Sequence, residues 1–193
     1  MKDYIKLLVF ISIVALITSF AFISMDLLFS ARIEQNQNAA FYRAVLVHND
    51  IEFTEDKLFD VFEENITTQS YTYNGKELVI YSNESANTVS FIFGLFDASG
   101  LWGDIIGIMT VNEAFDELIN VSVLQNEEQA GKDVSQRYFL DQFKNLDMTT
   151  VLDTAALYDE IDQLAGATGT SNGLQAVLIE SYNIYKDLWE SEA

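Results

Sequence analysis

The spacing of hydrophobic positions along this chain changes several times, and its N-terminal part has the spacing of helices. A run that is uncharged and almost wholly apolar covers residues 7–25. Apolar residues then recur at helical intervals through residues 31–49, and Asp50 to Phe53 break this pattern. Residues 54–66 have the pattern of a short amphipathic helix, with Thr54 as its N-cap.

From residue 70 onward, apolar and polar positions alternate, which predicts β-strands. Residues 70–82 alternate around Asn74-Gly75, a strong signal for a two-residue hairpin turn. The fold class predicted from this order of elements is α+β, an antiparallel sheet with helices segregated around it. Further strands are predicted at residues 88–96, 104–111 and 118–125.

Two helices are predicted after the strands. The first covers residues 134–146, with Tyr138, Phe139 and Phe143 pointing inward. The second is the last helix of the chain and runs from about Ser171 to Glu190. No internal repeat or linker interrupts the pattern.

The apolar run at residues 7–25 predicts a transmembrane anchor. Its 19 residues would span roughly 28 Å as a helix, close to the ~30 Å hydrocarbon core of a bilayer. Lys2 and Lys6 precede it, which favours a cytoplasmic N-terminus and places everything after about residue 30 on the extracytoplasmic side of the cell membrane. The alternative is a cleaved signal peptide, for which Ser19-Phe20-Ala21 is a tolerable cleavage site.

Three regions follow from these patterns. Residues 1–30 form the anchor, residues 31–94 form a helical stalk and the N-terminal part of an outer domain, and residues 95–193 form the main part of that domain. The anchor is predicted to be retained, because helical character continues beyond it.

The composition excludes several classes of function. The chain has 10 basic and 30 acidic residues, for a formal net charge of −20, so it lacks the positive charge that binds nucleic acid or anionic lipid. It has no cysteine, which excludes disulfides and thiolate chemistry. Its one histidine, His48, is predicted to be structural, and one histidine is too few for a histidine-based metal site. No catalytic or metal-binding residue is predicted.

The candidate chemistry lies in the stretch DQLAGATGTSNGLQ, residues 162–175. The stretch precedes the last helix, and a helix N-terminus favours an anion because of its N–H groups and its dipole. Gly166 and Gly169 allow a ligand to approach the backbone closely, and Thr168 and Thr170 offer hydroxyls. Ser171 with Asn172 is predicted to cap the helix. The two interpretations are a phosphate site and a glycine-rich turn that only caps the helix.

This stretch resembles the covalent flavinylation motif of the FMN-binding domains found in the C subunit of the sodium-pumping NADH:quinone reductase and in the G subunit of Rnf complexes. The motif has an aspartate, two variable residues, a small residue, Gly-Ala-Thr, one variable residue and a hydroxyl residue. The positions that fill it here are Asp162, Ala165, Gly166, Ala167, Thr168 and Thr170.

Two further segments are similar to the family. The stretch SGLWGDIIGIMTV, residues 99–111, resembles a Gly-Leu-Trp segment that leads into a strand supporting the flavin. The stretch EEQAGKD, residues 127–133, stands where the family has Glu-Thr-Pro-Gly-Leu-Gly; it lacks the threonine, the proline and the last glycine. Glu128 matches the glutamate of that block, and Glu127 is the alternative.

The resemblance implies that FMN is attached through a phosphoester to Thr168. It implies an electron-carrying subunit of an ion-translocating NADH:quinone or ferredoxin:NAD oxidoreductase, with integral-membrane partner subunits and a separate flavin transferase for maturation. Trp102 either packs near the flavin ring or fills the core, and Asp162 either serves the transferase or caps the loop. The other residues implied to bind the cofactor are Leu101, Gly103, Glu128, Gly166, Ala167, Thr170 and Ser171.

Other functions remain open on the sequence alone. The fold is also compatible with a stand-alone extracytoplasmic protein, either a scaffold without attached flavin or a flavin reductase. Ala165 and the divergent glutamate segment favour the scaffold.

Overall fold

The chain divides into two compact units, Met1–Ala39 and Ala40–Ala193. We describe them from a computed structural model. The residues that this structure describes are 2–94, 105–127, 132–151 and 153–191.

Helix α1 runs over Lys2–His48, so the helix predicted at residues 31–49 is confirmed to within one residue at its C-terminal end. The apolar side chains described within residues 10–23 are exposed, among them Leu16 at 70% and Phe20 at 74%. Among the residues that the structure describes, however, no helix is both long enough and apolar enough to span a membrane. The structure therefore does not confirm the predicted anchor.

The second unit contains a six-stranded sheet and short helices. In chain order after α1, the described elements are α2 (Leu58–Asn65), β1 (Thr67–Tyr73), β2 (Lys76–Asn83), β3 (Thr88–Phe93), β4 (Ile105–Asn112), β5 (Glu117–Asn126), α3 (Arg137–Leu140), β6 (Leu146–Asp147), α4 (Thr154–Glu160) and α5 (Thr168–Glu190), with 3-10 helices at Glu55–Lys57, Lys132–Ser135 and Asp141–Phe143.

The sheet is an antiparallel meander in which strands β1 to β6 lie side by side in chain order. The predicted hairpin is confirmed, since β1 pairs with β2 up to Tyr73 and Lys76. Asn74 and Gly75 form its turn with φ of +49° and +76°, the left-handed conformation that a two-residue hairpin turn requires. The strands predicted at 88–96, 104–111 and 118–125 correspond to β3, β4 and β5.

Each face of the sheet is covered by helices. On one face, Tyr185 of α5 stacks on Phe91 of β3 with ring centroids 4.3 Å apart. On the other face, the last turns of α1 and helix α2 pack on β2, where Phe41 lies 4.4 Å from Tyr81 between ring centroids and Phe62 lies 5.9 Å from the same ring. This arrangement confirms the predicted α+β class.

The single helix predicted over residues 134–146 is wrong. The segment breaks into short helical turns because Gln136 and Lys144 are extended, with ψ of 144° and 131°. Phe139 and Phe143 are fully buried as predicted, but Tyr138 is 62% exposed, because one helical turn cannot direct all three rings to the same side.

Two further details differ from the sequence-based expectation. Thr54 precedes the 3-10 helix at Glu55–Lys57, but its side chain makes no capping hydrogen bond. Helix α4 and strand β6 were not predicted, because both are too short to establish a periodic pattern.

Candidate functional site

The site begins with the loop at residues 162–167, which polar contacts hold at both ends. Asp162 N donates to Gln142 Oε1 at 2.8 Å, and Gln142 Nε2 donates back to Asp162 O at 3.3 Å. Ala167 N then donates to Leu164 O at 3.0 Å and closes a four-residue turn. Gly166 is the third residue of this turn and has φ +81°, a conformation that glycine adopts without strain.

Helix α5 starts earlier than the sequence predicted. It begins at Thr168 with Ala167 as its N-cap residue, so Ser171 and Asn172 are inside the helix and do not form its cap. Ser171 is fully buried. Its Oγ accepts from Leu164 N at 3.3 Å and donates to Ala167 O at 3.0 Å. The serine therefore ties the loop to the first turn of the helix.

Asn172 is also held from two sides. Gln163 Nε2 donates to Asn172 Oδ1 at 2.9 Å, and the hydroxyl of Tyr158 in α4 donates to Asn172 O at 3.2 Å. These contacts hold α4 and the loop at residues 162–167 against the N-terminal part of α5.

The earlier helix start places Thr168 and Thr170 of the motif in the first turn of α5. The first backbone hydrogen bond of α5 runs from Ser171 N to Ala167 O at 2.9 Å. A helix has no carbonyl to accept from its first N–H groups, so those of Thr168 and Gly169 face whatever lies beyond the helix end. The positive end of the helix dipole lies at the same place, which suits a phosphate.

The two threonines of the motif have opposite environments. Thr168 is exposed, whereas Thr170 is only 4% exposed. A bulky phosphoester can therefore be accommodated on Thr168 and not on Thr170 without reorganising the core. Asp162 is exposed as well.

The remaining predicted site residues, Leu101, Trp102, Gly103 and Glu128, lie outside the described residues. The described ends of their segments come together at one end of the sheet, because Ile105 of β4 pairs with Asn126 of β5. Gly94 N, just after β3, donates to Ser181 Oγ of α5 at 3.3 Å. The described residues Ile105 and Asn126 thus lie together at one end of the sheet, and Gly94 contacts α5.

Glu127, the alternative to Glu128, is described and exposed. Its Oε1 accepts from Gln125 Nε2 at 2.9 Å.

Gln175 is a residue of this region that sequence reasoning missed. It is fully buried in α5, and neither Nε2 nor Oε1 of its side-chain amide has a hydrogen-bond partner in the part of the chain that the structure describes. Leaving such a buried group unpaired costs about 1–3 kcal/mol. The sequence shows only an amide between Leu174 and Val177 in the last helix, which does not reveal whether that amide has a partner.

His48 has the structural role that the sequence predicted. It is 4% exposed. Its Nδ1 lies 2.8 Å from Thr110 Oγ1 and its Nε2 lies 2.7 Å from Ser122 Oγ. No group of three or more histidine or carboxylate side chains within the described ranges is arranged to bind a metal ion.

Comparison with known proteins finds a family model that matches part of the chain. Residues 100–183, which include the loop and most of α5, match the family model described as FMN-binding domain. The match covers 84 of the 193 residues of the chain. This match confirms the resemblance inferred from the motif, and the matched model describes a domain that binds FMN.

A solved structure shares the fold. The crystal structure of the C subunit of Na(+)-translocating NADH-quinone reductase from Parabacteroides distasonis superposes with a TM-score of 0.59 at 14% sequence identity, over 83% of this chain and 96% of that chain. No curated protein sequence matches this chain.

The residues of the FMN-binding domain fit its ligand at two points. The exposed Thr168 hydroxyl stands at a helix N-terminus suited to phosphate, and the buried Gln175 amide offers one donor and one acceptor on the same helix. Both belong to α5.

Proposed function

We propose that this protein is a membrane-anchored electron-transfer flavoprotein with FMN covalently attached to Thr168. The observation that carries the proposal is the exposed Thr168 hydroxyl at the first residue of α5, within a matched FMN-binding domain. FMN, when bound, supplies one- and two-electron redox chemistry, and the chain supplies position and electrostatics.

Attachment requires a flavin transferase and FAD. The Thr168 Oγ forms a bond to the phosphorus of the FMN half of FAD, the P–O bond to the AMP half breaks, and the hydroxyl proton passes to a base of the transferase. The backbone of Asp162 is fixed by Gln142, so its exposed carboxylate is held at the surface of the same loop, where it can bind the metal ion of the transferase.

The protein is then a component of a redox complex and crosses the cell membrane once. Residues 7–25 form the anchor; the exposure of apolar side chains such as Phe10, Leu16 and Phe20 in α1 supports this, because such a surface has to be covered. The outer domain then passes electrons between integral-membrane partner subunits of an ion-translocating NADH:quinone or ferredoxin:NAD oxidoreductase. The fold shared with the C subunit of a quinone reductase supports this assignment.

The test is the mass of the intact protein after coexpression with a flavin transferase. We expect one FMN adduct on the wild type, none on Thr168→Ala, and some on Thr168→Ser, because serine retains the hydroxyl. Thr170→Ala is the matched control and keeps the adduct, because its side chain is buried. A wild type without an adduct, or an adduct that persists on Thr168→Ala, would contradict the attachment site.

The association of the flavoprotein with membrane subunits is tested separately. Mild detergent extraction from the native membrane should co-purify multi-span subunits with the flavoprotein. Isolation of the flavinylated protein alone would instead favour a stand-alone flavin reductase.

A further inference from the structure

The second unit buries the side-chain amide of Gln175, and the fold alone does not explain why a polar group lies there. Its surroundings on α5 are apolar, with Leu174 and Leu178 both buried. A buried amide in a native protein normally finds a donor and an acceptor, but Gln175 finds neither among the described residues. The ligand of this domain is therefore the candidate hydrogen-bond partner for both Nε2 and Oε1 of Gln175.

The position of Gln175 relative to the proposed attachment site follows from the geometry of helix α5. It follows Thr168 by seven residues, which is two helical turns, so the two side chains lie on one stripe of α5. The separation along the helix axis is about 10 Å at 1.5 Å per residue. Between them, Ser171 is occupied with the backbone of the loop.

The chemistry of FMN matches this spacing and this amide. When the phosphate is esterified to Thr168, the five-carbon ribityl chain sets the ring system some distance away from that residue. The pyrimidine edge of the ring presents a carbonyl, an N–H and a second carbonyl in a row. An amide side chain has the complementary pair, a donor at Nε2 and an acceptor at Oε1.

We infer that Gln175 is a positioning residue that binds the pyrimidine edge of the flavin, an inference that rests on the attachment of FMN to Thr168. Its Nε2–H donates to a ring carbonyl, and its Oε1 accepts the adjacent ring N–H. The pair is shielded from water, which strengthens both bonds. It fixes the orientation of the ring relative to the phosphoester.

The pair also affects the electronics of the cofactor. Reduction increases the negative charge on the pyrimidine half of the ring, and a hydrogen bond donated to its carbonyl stabilises that charge. Gln175 therefore makes the bound flavin easier to reduce. Replacing its amide with an apolar group should shift the midpoint potential to a more negative value.

The experiment compares Gln175→Met in two backgrounds, the flavinylated full-length chain and its flavin-free Thr168→Ala form, both in detergent. Methionine has nearly the same shape as glutamine and no hydrogen-bonding amide. We expect it to raise the thermal unfolding midpoint of the flavin-free form, because it removes an unpaired buried amide. In the flavinylated form we expect a lower midpoint, shifted visible absorption bands and a more negative potential.

The control is Ser90→Ala. Ser90 is fully buried and bonds Thr110 at 2.7 Å, on the sheet face opposite Phe91 and α5. Its effect on the unfolding midpoint should be equal in both backgrounds. An equal effect of Gln175→Met in both backgrounds, with unchanged spectrum and potential, would overturn the role of Gln175 while leaving the attachment site intact.

A second measurement covers the case in which Gln175→Met does not fold. Side-chain amide protons of the unmutated Gln175, followed by NMR, should be protected from exchange and shifted in the flavinylated chain relative to Thr168→Ala. Identical signals in the two forms would overturn the inference. Absence of any adduct on the wild type by intact mass would overturn the proposed function first, and Gln175 with it.

Discussion

His48 Nε2 in the last turn of α1 lies 2.7 Å from Ser122 Oγ in β5. With Thr110 on its other nitrogen, the ring joins the C-terminal turn of α1 to two strands. Burial lowers the pKa of His48 to about 3, and the charges of Arg137 and Lys144 contribute to the shift. The imidazole is therefore neutral in the folded protein near pH 7.

Acidification should destabilise the domain through this histidine. In the unfolded chain the pKa of His48 is near 6.5, so between pH 6.5 and about 3 the unfolded state binds the extra proton and the folded state does not. The stabilisation is present above pH 6.5 and is lost as pH falls, at up to about 1.4 kcal/mol per pH unit. Urea unfolding of the wild type and of His48→Gln from pH 7 to pH 4 measures this slope.

The comparison with His48→Gln isolates the histidine, because the titration of the acidic residues is common to both chains. The wild type should lose its free energy of unfolding more steeply than the variant across this range. Parallel pH profiles would show that His48 does not carry the effect.

Two glycines near the N-terminus of α5 should respond in opposite ways to alanine. Gly166 has φ +81°, so Gly166→Ala should cost about 1–2 kcal/mol through backbone strain. Gly173 lies inside α5, and an added Cβ would meet no atom within 4 Å, so Gly173→Ala should gain about 1 kcal/mol from helix propensity. Thermal or urea unfolding of the flavin-free chains gives both values. Equal signs for the two substitutions would contradict the loop geometry.

The orientation of the chain in the membrane can be tested by proteolysis. Because Lys2 and Lys6 precede the apolar run, the domain after about residue 30 should be digested when protease is added to spheroplasts. A cytoplasmic marker protein must remain intact in the same sample. Full protection of the domain until the membrane is broken would reverse the proposed orientation.

The sequence predicted the elements whose local signals are strong. Asn74-Gly75 identified the first hairpin, and alternating apolar residues located β3 to β5 within a few positions. Thr168 was singled out by its motif, and the structure shows it exposed at the start of α5; its attachment to FMN stays a prediction.

The errors arose where tertiary contacts override local preference. Ser171 has the residue type of an N-cap, but the helix starts three residues earlier, directly after the turn that contains Gly166, and the serine is buried. Gln175 could not be singled out from the sequence, because its lack of a partner is visible only once its surroundings are known. The breaks at Gln136 and Lys144 likewise depend on how Phe139 and Phe143 enter the core.

The meander order of the sheet affects when the domain folds relative to its synthesis. Every strand pairs with a strand that adjoins it in sequence, so no strand has to wait for a distant part of the chain before it pairs, and such local pairing favours fast folding. The sheet can form in the order in which it is synthesised. Helix α5 is synthesised last, and the contacts of α4 and the loop with α5 form only when this helix packs on the sheet. We therefore expect the proposed attachment of FMN to Thr168 to follow folding, with the transferase acting on the finished domain.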